Sequence, residues 1–219
     1  MSRLDHDANE WRCKIVLFGP PTIGTVKLAA QLVTALPAGE REVLWDAPVA
    51  SDSTLVARYR PAASALVEIK PVYSIHAFRT AGSTATDRQH LLGNVDGVIL
   101  LLDSDNLDAS GFAERELERF LGMFGKMIST MPVVFLSSTP LAEDQRMLLN
   151  PRNQSLFAGD TPTSLNRSLT TLTSLLEEDS GFAGLGFDVE AFESEEAAGD
   201  DEDIEFDDLH AYDDDDDVK

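Results

Sequence analysis

The sequence predicts an α/β fold, a mostly parallel and doubly wound sheet, followed by an acidic C-terminal segment. Three observations carry that prediction. An apolar run at Arg12–Phe18 passes through a glycine-bounded loop into an amphipathic segment, which is a strand, loop and helix in succession. A second run, Gly97–Leu102 within Val95–Ser104, is continuously apolar, as in a strand covered on both faces. Further strand-like and helical runs then alternate, the pattern of crossover connections in a parallel sheet.

Taken in order, RCKIVLF is the first strand and GPPTIG, residues 19–24, the loop after it. In TVKLAAQLVTAL, Val26, Ala29, Ala30, Val33 and Leu36 recur every three or four residues, giving a helix with one apolar face that Pro37-Ala38-Gly39 ends. ALVEI at 65–69 and VYSIHAF at 72–78 read as two extended runs separated by Pro71. Leu91 and Leu92 belong to a short helix, and GVILLL follows as a central strand. From Leu107 to Ile128 the spacing of Phe112, Leu117, Phe120, Leu121 and Phe124 predicts a second crossover helix, and PVVFL from Pro132 is another buried strand. A short strand near Ser155–Ala158 and a helix from about Pro162 to Glu178 complete the domain. The expected organisation is an N-terminal extension over 1–11, a domain over 12–178 and a tail over 179–219.

Of the 219 residues, 43% are apolar, enough for one sizeable core. The net charge of −22 is unevenly placed. Residues 177–219 hold 20 acids and a single base, Lys219, whereas the first 176 residues carry 19 acids and 16 bases. With no basic stripe, direct binding to nucleic acid is not expected. The start, MSRLDHDANEWRCK, has no leader pattern, and no apolar run reaches the roughly 18 residues a membrane span needs, so a soluble cytoplasmic protein is expected. The single cysteine, Cys13, reads as a buried strand residue in a reducing compartment. After Asp179 the composition turns to Gly, Ala and acids, too polar to offset chain entropy, and disorder is expected. Set among the acids, Ile204, Phe206 and Leu209 could anchor the tail in a partner's groove; the plain alternative is a solubilising tail.

A strand followed by GxxxxG and a helix is the frame of a phosphate-binding loop, whose complete motif continues with Lys and Ser or Thr. Here Thr25 and Val26 follow Gly24. The ammonium for the outer phosphates and the hydroxyl for Mg²⁺ are therefore both missing, and Lys27 stands about 200° too far round the helix.

The loop GPPTIG resembles the GPxxxG opening of the MglA-type bacterial small GTPases. GNVDGVILLLDSD is similar to the strand that precedes that family's base-reading motif, and LNPRN at Leu149–Asn153 to a stretch before its last strand and helix. The resemblance spans roughly residues 12–178 and implies a small-GTPase-like fold. It carries over few functional residues. Gly19 and Gly24 match the loop, but Thr25 and Val26 replace its Lys and Thr, and the switch Pro-Gly-Gln has become Arg79-Thr80-Ala81. The guanine-reading Asn-Lys-x-Asp falls on Ser138-Thr139-Pro140-Leu141, with Leu141 where the carboxylate would stand. Only Thr161-Pro162-Thr163 keeps a shape similar to the last base-contacting loop.

By this resemblance the chain is expected to be a degenerate, non-catalytic pseudo-GTPase with no bound cofactor, acting through protein partners in bacterial polarity, motility or signalling. Roadblock-domain (MglB-like) proteins, or another small GTPase in a heterodimer, are the partners it implies. The alternative is a GTPase that binds GTP or GDP with Mg²⁺ through an atypical loop, with Lys14 or Lys27 supplying the cation. Gly19 and Gly24 then serve either a tight turn alone or a residual anion cradle. His6, His76, His90 and His210 are too dispersed to suggest zinc, no nucleophile elbow is present, and the run Asp213–Asp217 lacks the pattern of a calcium loop.

Overall fold

The computed structural model describes residues 3–20, 23, 25–36, 39–45, 54–61, 69–78, 84–137, 139–149, 154–159 and 161–180. The strands are β1 (Arg3–Asp5), β2 (Glu10–Phe18), β3 (Gly39–Trp45), β4 (Thr54–Pro61), β5 (Lys70–Phe78), β6 (Gly97–Leu102), β7 (Val133–Ser137) and β8 (Leu156–Ala158). The helices are α1 (Thr25–Ala35), α2 (Ala85–Leu91), α3 (Leu107–Met123), α4 (Glu143–Leu149) and α5 (Pro162–Ser180). The chain divides into two units, Met1–Phe187 and Asp188–Lys219, and every described residue lies in the first.

One sheet runs β3-β4-β5-β2-β6-β7-β8, with β1 added beside β2. From β5 to β8 all neighbours are parallel; β3 and β4 join antiparallel at one side. The sheet is covered twice, because strand residues alternate faces. Cys13, Ile15 and Leu17 of β2, with Ile99 and Leu101 of β6, meet Leu32 and Leu36 of the α1 segment and Leu165, Leu169 and Leu172 of α5. Val16, Phe18, Val98 and Leu100 meet Leu91 of α2, Leu117, Phe120 and Leu121 of α3, and Leu149 of α4 on the other side. A strand buried on both faces has no room for polar alternation, and that is why GVILLL is apolar throughout. The doubly wound α/β fold is thus the observed one.

Several elements differ from the sequence reading. Arg3–Asp5, inside the segment read as an N-terminal extension, pairs antiparallel with Glu10–Arg12. Gly39 lies beyond the end of α1 and opens β3, and the β3–β4 hairpin lies where the sequence reading placed nothing. Pro71 does not break an extended run but sits inside β5, opposite Trp11. It is tolerated there because the β4 pairing reaches only Tyr73, so the missing N–H falls near the strand's start. ALVEI lies largely outside the described residues, and α4 was not anticipated. On α3 the apolar spacing overcounts: Phe120 and Leu121 are buried, whereas Phe112 is 57% exposed and Phe124, just past the helix, 40%.

Cys13 is buried as expected, and burial pushes its thiol well above the ordinary range. Among the described residues no helix is long and apolar enough to cross a membrane.

Candidate functional site

In an open parallel sheet the ligand crevice lies beyond the carboxyl ends of the strands, where the winding reverses. Here the strand order reverses at β2, which has β5 on one side and β6 on the other. The loops leaving β2, β6, β7 and β8 rim that end, and among the described residues they place Gly19, Thr139, Leu141 and Thr161 there.

Gly19 leaves β2 so close to β6 that a Cβ would stand 2.8 Å from the Leu101 Cβ and 3.2 Å from its carbonyl oxygen. Packing therefore demands glycine here whether or not an anion is held. Pro20 has no N–H to offer, and its carbonyl accepts the Ile23 N–H at 3.1 Å, taking up that donor within the loop. Ile23 itself packs toward the α1–α5 face. Thr25 opens the α1 backbone, while Gly24 and the side chains of Thr25 and Val26 lie outside the described residues. So do Arg79-Thr80-Ala81, Lys27's side chain and Ser138.

Among the described side chains, a cation that no sequence motif marks reaches this loop: Arg88 of α2. One guanidinium nitrogen donates to the Gly19 carbonyl at 3.0 Å and lies 2.6 Å from Glu116 Oε2 on α3. The group also rests 4.5 Å from the Phe18 ring centre. Both charged side chains are buried, at 7% and 8% exposure, so each neutralises the other. Burial pulls the Arg88 pKa down and Glu116 opposes it. The signal available was slight, since Arg88 and Glu116 stand 28 positions apart with no motif between them.

At the end of β6, Ser110 accepts the Asp103 N–H at 2.7 Å and donates to the Asp103 carbonyl at 3.1 Å. Asp103 Oδ1 accepts the Asp105 N–H, and Asn106 caps α3 through the Ala109 N–H. These polar groups are spent on their own loop. After β7, the Thr139 hydroxyl donates to Ser104 Oγ at 2.7 Å. Leu141 is half-buried and packs against the cluster between the sheet and α2, α3 and α4, so the position expected to read a base carries an apolar side chain turned to that cluster. After β8, the Gly159 N–H donates to the Ser137 carbonyl, and Ser164 ties Thr161 to the Ala158 carbonyl. The loop around Thr161-Pro162-Thr163 is closed by its own hydroxyls.

Lys14 does not supply the missing ammonium. Its Nζ donates to the Gly93 carbonyl at 2.8 Å, and it lies five strand residues before Gly19, about 16 Å along β2. That overturns its candidacy as a displaced loop cation. His76, on β5, has its pKa drawn down to about 4 by burial, with Lys14 adding to the shift. No group of three or more His, Cys, Asp or Glu side chains converges on a metal-sized site among the described residues. Ile204, Phe206 and Leu209 lie outside them.

Sheet order, double cover and the passage from β2 to α1 at the reversal point are consistent with a small-GTPase-like α/β fold. No protein-family model matches the chain. It is similar to the mutual gliding-motility protein MglA of Myxococcus xanthus (strain DK1622), with 26% identity over 176 residues that cover 75% of this chain and 89% of MglA. The similarity supports an MglA-like small-GTPase relationship across nearly the whole of that relative.

Proposed function

We propose that this chain is a cytoplasmic, non-catalytic pseudo-GTPase that works by binding other proteins, as a regulatory or scaffold component in bacterial polarity, motility or signalling. The observation that carries the reading is Leu141. A guanine-specific site needs a carboxylate there to accept two base N–H groups, and a half-buried apolar side chain packed against the core offers neither charge nor direction. Further support comes from the loop. Thr25 and Val26 stand in place of the phosphate-binding lysine and the metal-binding hydroxyl, the Ile23 N–H is bonded to the Pro20 carbonyl, and Arg88 is neutralised by Glu116. These residues do not fit a magnesium nucleotide.

MglA is named for gliding motility. On that likeness the partners proposed are polarity and motility proteins, among them roadblock-domain (MglB-like) proteins or another small GTPase in a heterodimer. Ile204, Phe206 and Leu209 in the acidic C-terminal segment are proposed as a second point of attachment.

Calorimetry with GTP and GDP in the presence of Mg²⁺, on protein checked for co-purified nucleotide, tests the reading. Charge-assisted hydrogen bonds contribute about 1.5–3 kcal/mol each, so lacking the lysine and the base-reading carboxylate removes roughly 3–6 kcal/mol. That is about a hundredfold to ten-thousandfold in affinity. The expected outcome is no saturable heat at micromolar nucleotide. Micromolar or tighter GTP binding would overturn the pseudo-GTPase reading in favour of a GTPase with an atypical loop.

A further inference from the structure

α2 is too short to hold itself: its seven residues make fewer than two turns, and helices below about 12 residues are marginal in water. Its order comes from three attachments. At the start, Thr84 and Asp87 form a reciprocal capping box. At the end, Leu91 and Leu92 are buried against the α3 side of the sheet. Between them stands Arg88, whose guanidinium joins the carbonyl of Gly19, the carboxylate of Glu116 and the ring of Phe18.

Those contacts belong to the end of β2, the first residue of the loop after it, and α3. One guanidinium nitrogen meets both the Gly19 carbonyl and the Glu116 carboxylate while the guanidinium lies over the Phe18 ring, so one side chain touches three different parts of the fold. A lysine ammonium keeps the charge but has no planar group to lie over the Phe18 ring. The pair is also a committed one: removing either partner of a buried ion pair leaves the other charge without compensation.

We propose that Arg88 is a clamp that joins α2, the start of the loop after β2, and α3 into one rigid unit. The exposed residues Thr84, Ala85, Thr86 and His90 of α2 and its N-cap are thereby held in one arrangement, with or without nucleotide. The inference rests on the proposed non-catalytic reading for its indifference to nucleotide, but not for its mechanics.

Amide hydrogen exchange on the full chain, with and without GTP or GDP and Mg²⁺, tests it. The N–H groups of Arg88, Leu92 and Gly93 donate to Thr84, Gln89 and His90 and report on α2. In the unmodified protein their exchange is expected to be slow and unchanged by nucleotide. Arg88→Gln should speed it about tenfold or more while the amides of β6 stay protected, and Arg88→Lys should behave more like Gln than like the parent. If Arg88→Gln does not fold, Glu116→Gln, which keeps the Gly19 bond, is read in the same way with a smaller acceleration. Unchanged α2 exchange in a folded Arg88→Gln or Glu116→Gln protein, or parental behaviour in Arg88→Lys, overturns the clamp. Exchange in the unmodified protein that changes with nucleotide overturns the single arrangement. Calorimetric nucleotide binding with exchange still dependent on Arg88 would instead overturn the proposed function and leave the clamp standing.

Discussion

Glu177 is buried, and its carboxylate accepts the Tyr73 hydroxyl at 3.1 Å beneath α5. Burial raises its pKa above the ordinary 4.5, and the Tyr73 hydrogen bond opposes that rise. The folded state therefore holds this proton to higher pH than the unfolded chain does. The stability contributed by Glu177 is present below the ordinary carboxylate range and is lost as pH rises through the folded value. Glu177→Gln keeps an acceptor for Tyr73 and removes the ionisation. Thermal midpoints measured from pH 4 to pH 8 should show the variant gaining on the parent as pH rises, with no advantage at pH 4. A variant less stable than the parent at pH 8 would mean that the carboxylate's remaining contacts outweigh its burial.

Individual elements show where the sequence was legible. GVILLL could be assigned to a central strand because burial on both faces leaves only apolar residues, and that constraint is local. β4 was equally open to reading: Ala57 and Tyr59 are buried while Arg58 and Arg60 between them are only half-buried, a period of two that went unread. β3, at the sheet's edge, carries a weaker pattern, and Pro71 argued for a break that the end of the β4 pairing makes unnecessary. On α3 a list of aromatics at helical spacing does not say which of them faces the sheet, because Phe112 is offset from the buried stripe of Ala113, Leu117, Phe120 and Leu121. Phe120→Ala should accordingly cost about 3–5 kcal/mol, whereas Phe112→Ser should stay within about 0.5 kcal/mol. Denaturant titration of both variants decides this, and a large loss at Phe112 would show that its face is covered by something in solution.

At the scale of the whole molecule, the missing lysine and carboxylate could be read one position at a time, but Arg88 and Glu116 became a pair only when the fold brought α2 and α3 together. Charge, by contrast, was legible throughout: the segment 177–219 holds 20 acids against one base, while the rest of the chain is nearly balanced. Such a segment attracts any polycation over a range set by screening, about 8 Å at physiological ionic strength. A true partner should add apolar contact to that attraction, and Ile204, Phe206 and Leu209 are the residues offered for it. Polylysine, as a probe with charge and no apolar face, should bind the full chain, release it steeply between 50 and roughly 300 mM salt, and ignore Ile204→Ala, Phe206→Ala and Leu209→Ala combined. A protein captured through those anchors should lose affinity in the triple variant even at low salt. If a physiological partner tracks polylysine in both respects, the segment is a counter-charge alone and the apolar anchors play no part in recognition.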